Sequence, residues 1–305
     1  MKRIICSLLV LVGAVFTVAA QQQATAGVDS SITALDSRVE VYIKENIPFK
    51  SPIPYAPVRE ADVTAEWILW RKVELREKRN LPLYYPIAPT RKIGSRVNFF
   101  TLLLEGVERG EITAYDPHPI SDEFDSNQIR TFEQITSNSL LKFEDRQEPS
   151  VSIYTGADTM VTVEGKDILR DYDCTRLIVK EKWYFDKRHS RLDYRVIGIC
   201  PVFVFTLQTE SGDERQYTVP VMWIYMPEAR PLLARHPVYN DFNDAQNISF
   251  DDFFMQKFYD GLIERESNVY NNRYIYEYQR GLDVLHEARR IEMEIFNWEQ
   301  DAWEY

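Results

Sequence analysis

The residues of this chain whose types and spacing best suit metal chemistry lie in an acidic stretch at positions 241–252. Asp241, Asn243 and Asp252 occupy positions one, three and twelve of a calcium-binding loop. Positions five and six of such a loop need an oxygen ligand and a turn-forming glycine, but here they are alanine and glutamine. The stretch therefore predicts a turn that leads into a helix, with Asp252 in the first helical turn, where the helix dipole favours a carboxylate.

The sequence lacks the motifs that usually carry catalysis or cofactor binding. It has no Gly-x-Ser-x-Gly elbow, no glycine-rich phosphate loop, no His-Glu-x-x-His and no Cys-x-x-Cys. Asp251 and Asp252 are adjacent carboxylates, but the sequence gives no reason for their pKa values to differ, as acid/base catalysis would need. The four histidines are scattered and show no metal-ligand spacing: His118, His189, His236 and His286. We therefore expect no catalytic residue, no metal and no cofactor.

Cys174 and Cys200 are the two cysteines that lie beyond the N-terminal segment. They flank a predicted β-hairpin, and a turn near Lys187 would place them about opposite each other across its strands. Two interpretations remain open. Buried thiols suit a protein interior, whereas export to an oxidising compartment favours a disulfide, although directly paired strand cysteines strain disulfide geometry.

The segment 71–79, RKVELREKR, is the most charge-rich part of the chain. It can form a helix surface on which the charges are solvated or paired at i,i+4 spacing. It can also form a basic site for an acidic partner. The pattern favours the helix surface, because such ion pairs are common.

The N-terminus has the pattern of a secretory signal peptide at residues 1–20. A Lys-Arg pair precedes an apolar run at 4–18, and small residues lead to Ala20, after which we expect cleavage. The run is too short to span a bilayer comfortably. Cys6 lies near the start of the run, whereas a lipidated cysteine would follow it. We therefore expect an exported protein without direct membrane insertion.

The chain is acidic, with 36 Lys and Arg against 47 Asp and Glu. Without the signal peptide, which holds two of the basic residues, the balance is 34 against 47, a formal net charge of −13. Such a surface repels nucleic-acid phosphates and anionic lipid headgroups, and it is compatible with docking on a basic protein. The aromatic content of 13% supplies residues for both a core and interfaces.

Residues 21–58 are predicted to be a flexible leader followed by an extended arm. Four prolines between positions 46 and 58 disfavour regular pairing of this segment with itself. The arm is either a linker or a segment laid on a neighbouring subunit. Phe49 and Tyr55 offer apolar surface for the second role, so both are candidate interface residues.

Residues 59–273 are predicted to form an α+β core, in which helices flank an antiparallel β-meander built around a hairpin at 173–207. Residues 63–71 fit both a helix and a strand. We favour a strand because the segment 217–226, which an offset of 155 residues aligns with it, contains Pro220, and proline does not suit the interior of a helix. Strands are predicted at 63–71, 150–154, 158–163, 173–185, 192–207 and 215–226. Helices are predicted at 96–109 and 250–265, the second with Ser249 as its N-cap and Asp252 in the capping-box position.

A gapless offset of 155 residues aligns two parts of the chain. It matches seven identical residues, from Pro82 with Pro237 to Tyr115 with Tyr270. The match predicts an internal duplication whose halves are residues 59–120 and 214–273.

Residues 274–305 are predicted to form a C-terminal element, with a single amphipathic helix of roughly 45 Å at 274–303. Its apolar stripe contains Ile295 and Trp298, and Trp303 follows at its end. These three residues are candidate interface residues, because tryptophan is a frequent interface hot spot. The alternative is that the stripe packs on its own domain.

Three blocks of the chain resemble the GldN/PorN family. The central block, residues 180–201, reads KEKWYFDKRHSRLDYRVIGICP: a W-Y-F-D-K strand end, a serine in the turn, and an R-V-I-G-I-C-P run. The block at 54–86 contains V-R-E-A-D-V and P-L-Y-Y-P, and the block at 223–273 contains P-E-A-R, S-F-D-D and E-S-N-V-Y. The blocks follow the order seen in the family and cover most of the mature chain. None of them is a catalytic motif.

The resemblance implies a non-enzymatic structural subunit of the type IX secretion translocon of Bacteroidetes, located in the periplasm at the inner face of the outer membrane. It implies assembly into a ring with a GldK/PorK-like lipoprotein and a role in gliding motility in gliding species. A GldM/PorM-like inner-membrane protein is a further candidate partner. An exported ligand-binding module or hydrolase, with a site built from unpatterned residues, is the alternative from another class.

Overall fold

Strands rich in β-branched and aromatic residues pair antiparallel to form the central sheet of this protein. The structure is a computed structural model, and it describes residues 50–87, 96–117, 124, 128–136, 146–151, 158–163, 174–208, 214–240, 243, 246 and 248–303. These residues belong to one compact unit, Asn46–Tyr305. The predicted signal peptide, the leader and Phe49 lie outside the described residues.

A short 3-10 turn, Glu60–Asp62, leads into the first strand. The strands are β1 Val63–Glu74, β2 Ala114–Tyr115, β3 Ile129–Arg130, β4 Arg146–Val151, β5 Asp158–Val163, β6 Arg176–Asp186, β7 Arg191–Gln208, β8 Glu214–Pro220, β9 Trp223–Tyr225, β10 Pro237–Val238, β11 Ile248–Ser249 and β12 Leu262–Glu266. The helices are α1 Leu81–Tyr84, α2 Phe99–Glu108, α3 Phe132–Thr136, α4 Met226–Ala234, α5 Phe250–Met255, α6 Ile275–Tyr278 and α7 Leu282–Trp303.

The main sheet has the order β12-β1-β6-β7-β9-β2-β3, and β8 pairs with the second half of β7. Two small hairpins, β4–β5 and β10–β11, are separate from it. The long β6–β7 hairpin that the sequence predicts forms the centre of the sheet, and its register shifts once, between Lys180 and Glu181. The predicted α+β class with an antiparallel core is confirmed.

The two faces of the sheet bury different sets of side chains. On one face, Val73 and Val179 join the main core beneath helices α2, α4 and α5. The same face continues at Leu69, which packs with α6 and α7. Trp70 lies on the opposite face in a small cluster with Cys200. One face of the sheet therefore packs against both the main core and the C-terminal helices, in two neighbouring regions.

Strand β1 confirms the strand prediction for residues 63–71. It pairs with β6 along almost its whole length and with β12 on its other side. Its odd-numbered side chains from Leu69 to Val73 are buried on the core face, and the flanking even-numbered positions lie on the other face. Alternation with a period of two is the strand pattern, and pairing on both edges decided between the two readings.

Helix α4 begins at Met226, the last residue of the strand predicted at 215–226. The strand expected at 215–226 ends at Pro220, and β9 gives way to a helix at Met226. Pro227 stands in the first turn of α4, where the missing N–H costs nothing. Pro231 lies inside the helix, a position where proline is usually disfavoured.

The helix expected at 250–265 is only α5, because the chain reverses after Met255. Its start is confirmed: Ser249 and Asp252 form a reciprocal capping box. Lys257 then takes a left-handed conformation, with φ +51°. An added Cβ at Gly261 would lie 2.3 Å from the Lys72 carbonyl oxygen, so glycine lets the chain approach β1 and continue as β12.

The structure does not support the internal duplication. Pro82 lies in helix α1, whereas its match Pro237 lies in strand β10. Gly106 lies inside α2, and its match Gly261 lies in the loop before β12. These two identities therefore align positions in different kinds of element, although a third, Phe99 with Phe254, aligns two helices.

The C-terminal helix is divided. Residues 275–278 form the short helix α6, and Gly281, with φ +61°, precedes the 22-residue helix α7. The predicted single helix is wrong at this point, because Gln279 takes an extended conformation that ends α6, and the left-handed Gly281 follows before α7 begins. Within the described part of the chain, no helix has the length and apolarity that crossing a bilayer requires.

Candidate functional site

Two arginines hold the proline-rich arm on its own subunit by flanking the Tyr55 ring. The guanidinium carbon of Arg230 lies 4.1 Å from the ring centroid and that of Arg195 lies 4.8 Å from it, both within cation–π range. The same side chains donate hydrogen bonds to the backbone carbonyls of Ile53 and Ala56. Burial raises the pKa of Tyr55. The described part of the arm therefore packs on its own subunit.

The adjacent carboxylates Asp251 and Asp252 are both engaged in structural contacts. Asp251 is buried and accepts two hydrogen bonds from Arg230, at 2.8 and 3.1 Å. Asp252 caps the helix through Ser249 and pairs with Lys50 of the arm. Burial acts to raise the pKa of Asp252, but hydrogen bonds from Lys50 and Ser249 outweigh it, so the pKa lies below its ordinary value. These contacts leave the pair no acid/base role.

Glu181 is the centre of a buried polar network on the face of the sheet that α7 covers. It is fully buried. One carboxylate oxygen accepts hydrogen bonds from Arg71 Nε at 3.1 Å and from the Tyr259 hydroxyl at 2.7 Å. The other oxygen accepts a hydrogen bond from Trp183 Nε1 at 2.8 Å. A charge removed from water in this way is stable only because it is paired and hydrogen-bonded.

Arg71 extends this network to the C-terminal helix. Its Nη1 donates to Glu292 of α7 and to the Gly261 carbonyl, each at 2.6 Å. Burial acts to lower the pKa of Arg71, but Glu181 and Glu292 outweigh it and raise the pKa. The segment 71–79 is therefore not a helix surface: its first residues belong to β1, and Arg71 joins three elements.

A pocket of about 300 Å³ lies beside the network, between the sheet and α7. The ammonium of Lys257 stands 4.1 Å above the Trp183 ring at this place, and burial lowers the pKa of Lys257 to about 8. The residues that line the pocket are Leu69, Arg71, Trp183, Leu192, Lys257, Glu292, Ile295, Phe296 and Glu299. An amine with such a pKa is a possible nucleophile in principle, but its aromatic contact and the fully engaged Glu181 leave it no general base.

The apolar stripe predicted to contact a partner packs instead on its own subunit. Ile295 is buried against the sheet. The Trp298 ring makes edge contacts with Trp67 at 5.5 Å and with Phe185 at 4.9 Å, measured between ring centroids. The side chain of Trp303, like Phe49, lies outside the described structure.

Helix α7 has a second apolar stripe, and this one is exposed. Leu282, Leu285, Met293 and Phe296 are 71%, 48%, 44% and 50% exposed. They share one side of the helix, because at 100° per residue the four positions fall within an arc of about 80°. The buried stripe of Ile295 and Trp298 occupies the other side. The exposed stripe is the main unpartnered apolar surface that we identify on α7.

Comparison with known families identifies the chain. Residues 58–304 match the model of the family described as "Gliding motility associated protein GldN". The chain belongs to the GldN family. A search of curated proteins gives no match. The matched region of this GldN-family protein spans β1 to the end of α7, so it contains the Glu181 network, the pocket and the exposed stripe. GldN is a gliding-motility family and not a known enzyme family, in agreement with a chain that has no catalytic motif.

The cysteines of the GldN-family chain are not opposite each other. Cys200 pairs with Ile178 in the hairpin, and the register places Cys174 four residues further along. Four residues of strand span roughly 13 Å, whereas a disulfide needs Cα atoms less than about 7 Å apart. Both cysteines are buried thiols in the structure. The turn lies at Lys187–Ser190 and β7 has one extra residue, which moves the register away from the predicted one.

The candidate metal residues of the GldN-family chain form no site in the described ranges. Within them, no three histidine, cysteine or acidic side chains come together in a metal-binding group. His189 contacts Asp186 in the hairpin turn at 2.6 Å, and His236 contacts the Leu232 carbonyl at 2.9 Å. His118 and Asp241 lie outside the described residues, and Asp252 is the helix cap.

Sequence reasoning missed Glu181, although the strand pattern contains a signal for it. Leu177, Val179, Glu181 and Trp183 alternate along β6, so a single carboxylate occupies the inward face. A charged residue on an inward strand face requires a buried partner. The partner, Arg71, is 110 residues away in sequence, and only the sheet pairing shows which arginine it is.

Proposed function

We propose that this GldN-family protein is a non-enzymatic structural subunit of the type IX secretion translocon. In this proposal it is exported to the periplasm and assembles there with a GldK/PorK-like outer-membrane lipoprotein into a ring. It also supports motility in gliding species, and a GldM/PorM-like inner-membrane protein is a second candidate partner. Family membership supports the motility role, and the resemblance of the three sequence blocks supports the translocon role.

The observation that carries the proposal is the two-sided character of α7. Its buried stripe fixes the helix on the sheet, while its other side presents Leu282, Leu285, Met293 and Phe296 to solvent. Scattered single apolar residues are normal on a surface, but an aligned set on one helix is typical of a protein–protein contact. An assembly subunit needs such a surface, and a catalytic site is not required.

Light scattering coupled to size-exclusion chromatography tests the proposal. The mature protein, residues 21–305, is run alone and with the GldK-like lipoprotein lacking its lipid anchor. We expect co-elution of the two proteins and particles much larger than a 1:1 complex. A protein that stays monomeric and does not co-elute with the lipoprotein would contradict the proposal. Mature protein with Met160→Ala, a change on the separate β4–β5 hairpin, serves as a control that should assemble normally.

An exported ligand-binding module is the competing function, and the pocket beside Lys257 is the observation in its favour. Its volume of about 300 Å³ is at the lower limit of small-molecule sites. The same chromatography separates the two functions, because a binding module would run as a monomer with or without the lipoprotein.

A further inference from the structure

The second half of α7 combines exposed apolar surface with negative charge. Residues 291–303 contain Glu292, Glu294, Glu299 and Asp301 but no lysine or arginine. Two of these carboxylates are already paired within the chain: Glu292 with Arg71 at 2.6 Å, and Glu294 with Arg290 at 2.8 Å. Within the part of the chain that the structure describes, Glu299 has no ion pair.

Phe296 lies between the acidic surface of α7 and the pocket beneath the helix. Its side chain is half exposed and also lines the pocket between α7 and the sheet, next to Glu299. The pocket volume, about 300 Å³, is enough for one large apolar side chain. Its wall includes the aromatic ring of Trp183 and the aliphatic side chains of Leu69 and Leu192. Arg71, Lys257 and Glu292 line the pocket as well. Arg71 is paired with Glu181 and Glu292, and the Lys257 ammonium lies over the Trp183 ring. Glu299 is therefore the carboxylate of this wall that is left to pair with a cation beside an apolar group.

We propose that this surface of α7, comprising the pocket, Phe296 and Glu299, binds a basic and apolar segment of a partner protein. An apolar side chain of the segment enters the pocket, and a neighbouring lysine or arginine pairs with Glu299. Met293 and Leu285 continue the contact along the helix. The inference rests on the proposed function, because it names the surface and the partner chemistry of one contact in that assembly.

Charge argues against a second copy of this chain as the occupant. The chain carries a formal net charge of −11, and two α7 helices packed on these stripes would bring together two copies of Glu299, which has no ion pair in the described part of the chain. Like charges brought face to face at an interface disfavour association. A segment with excess lysine and arginine has the complementary potential, which steers association as well as stabilising the complex.

The test begins with a photo-crosslinker at position 296. Phe296→Cys in the mature protein is labelled with benzophenone maleimide; the native Cys174 and Cys200 are buried, so the new thiol reacts selectively. Met160→Cys, at a position 61% exposed on the separate β4–β5 hairpin, is the matched control. The labelled proteins are irradiated alone, with the lipoprotein domain, and with an envelope extract, and the crosslinked peptides are mapped by mass spectrometry.

We expect the position-296 probe to mark a peptide with more lysine and arginine than acidic residues and at least one large apolar side chain. A synthetic peptide of that segment is then titrated against full-length mature variants by fluorescence anisotropy. Phe296→Ala should weaken binding about 30-fold, the effect of a hot spot of about 2 kcal/mol. Glu299→Gln should weaken it about 3-fold and reduce its salt dependence.

Asp301→Asn is the matched control for the charge. Two helical residues turn by about 200°, so Asp301 points away from the side that carries Glu299, and its neutralisation should change affinity less than 2-fold. A crosslink from position 296 to another copy of this chain would overturn the proposal. So would a neutral or acidic peptide, labelling no stronger than at position 160, or equal effects of the two charge variants.

These failures differ from failure of the proposed function. If the proposed translocon role is wrong, the protein and the lipoprotein should not co-elute, whichever peptide position 296 contacts. A basic segment of a different envelope protein would support the surface and partner chemistry while removing the lipoprotein as its source. Co-elution that is unaffected by Phe296→Ala, with no basic crosslink, would preserve the proposed function and reject this surface.

Discussion

Removal of the Glu181 charge should strongly destabilise the protein, because Arg71 would remain buried without its main counter-charge. Glu181→Gln is the sharpest perturbation, since glutamine keeps the shape of the side chain and one carbonyl acceptor. The exposed fractions of the Glu181 and Arg71 side chains are 0% and 3%. Neither group can therefore turn to water when its partner is removed.

The magnitude follows from burial. Breaking one side of a buried ion pair costs about 3–5 kcal/mol, because a desolvated charge is left behind. Arg71 keeps Glu292 at 2.6 Å, so we expect the lower half of that range. The amide of glutamine has one acceptor oxygen for the three donors that Glu181 now satisfies, which adds a cost. In a chain of this size, 3 kcal/mol lowers Tm by roughly 6–12 °C.

The assay is urea and thermal unfolding of the mature protein, followed by circular dichroism. Glu66→Gln is the control: Glu66 also lies in the main sheet and pairs with Lys182 at 2.8 Å, but its side chain is 40% exposed. Exposed pairs contribute at most about 1 kcal/mol. If the two glutamine variants lose equal stability, burial of the network is not what makes Glu181 important, and the reasoning is refuted.

Four further substitutions test other parts of the fold. Lys257→Met should stabilise the protein by up to about 3 kcal/mol at pH 7, because unfolding raises the Lys257 pKa from about 8 to its ordinary value. The stability of the wild-type protein should therefore rise with pH over that window, and the difference between the two proteins should vanish near pH 10.5 in urea titrations. A difference in stability that does not change with pH would contradict the lowered pKa. Tyr55→Ala should lower Tm measurably and expose the arm to proteolysis; unchanged melting and cleavage would show that the arm does not pack on its own core. Trp298→Ala should cost about 2–4 kcal/mol in unfolding experiments, because its ring packs on the sheet, and an unaffected fold with lost partner binding would instead favour an outward role. Gly261→Ala should cost more than about 2 kcal/mol, because its Cβ would lie 2.3 Å from the Lys72 carbonyl oxygen; normal stability would mean that β12 can shift.

The local elements with strong patterns were predictable from the sequence. Alternating β-branched and aromatic residues specify the β6–β7 hairpin, and the turn residues between them leave little choice of connection. Ser249 and Asp252 specify the start of α5, because a capping box is formed by residues three apart. The family was also visible in these segments, since its motifs lie on the same short elements. Such features depend on neighbours in sequence, so the sequence alone determines them.

The tertiary structure decided the features that depend on distant partners. Arg71 looked like part of a charged surface until sheet pairing placed it beside Glu181. The amphipathic pattern of α7 did not show which of its two apolar stripes would be buried, and packing against Trp67 chose the one that contains Trp298. The arm had no pattern of its own, and Arg195, far away in sequence, fixed its place. In each case burial removes water from a group, and which residue replaces that water depends on the fold.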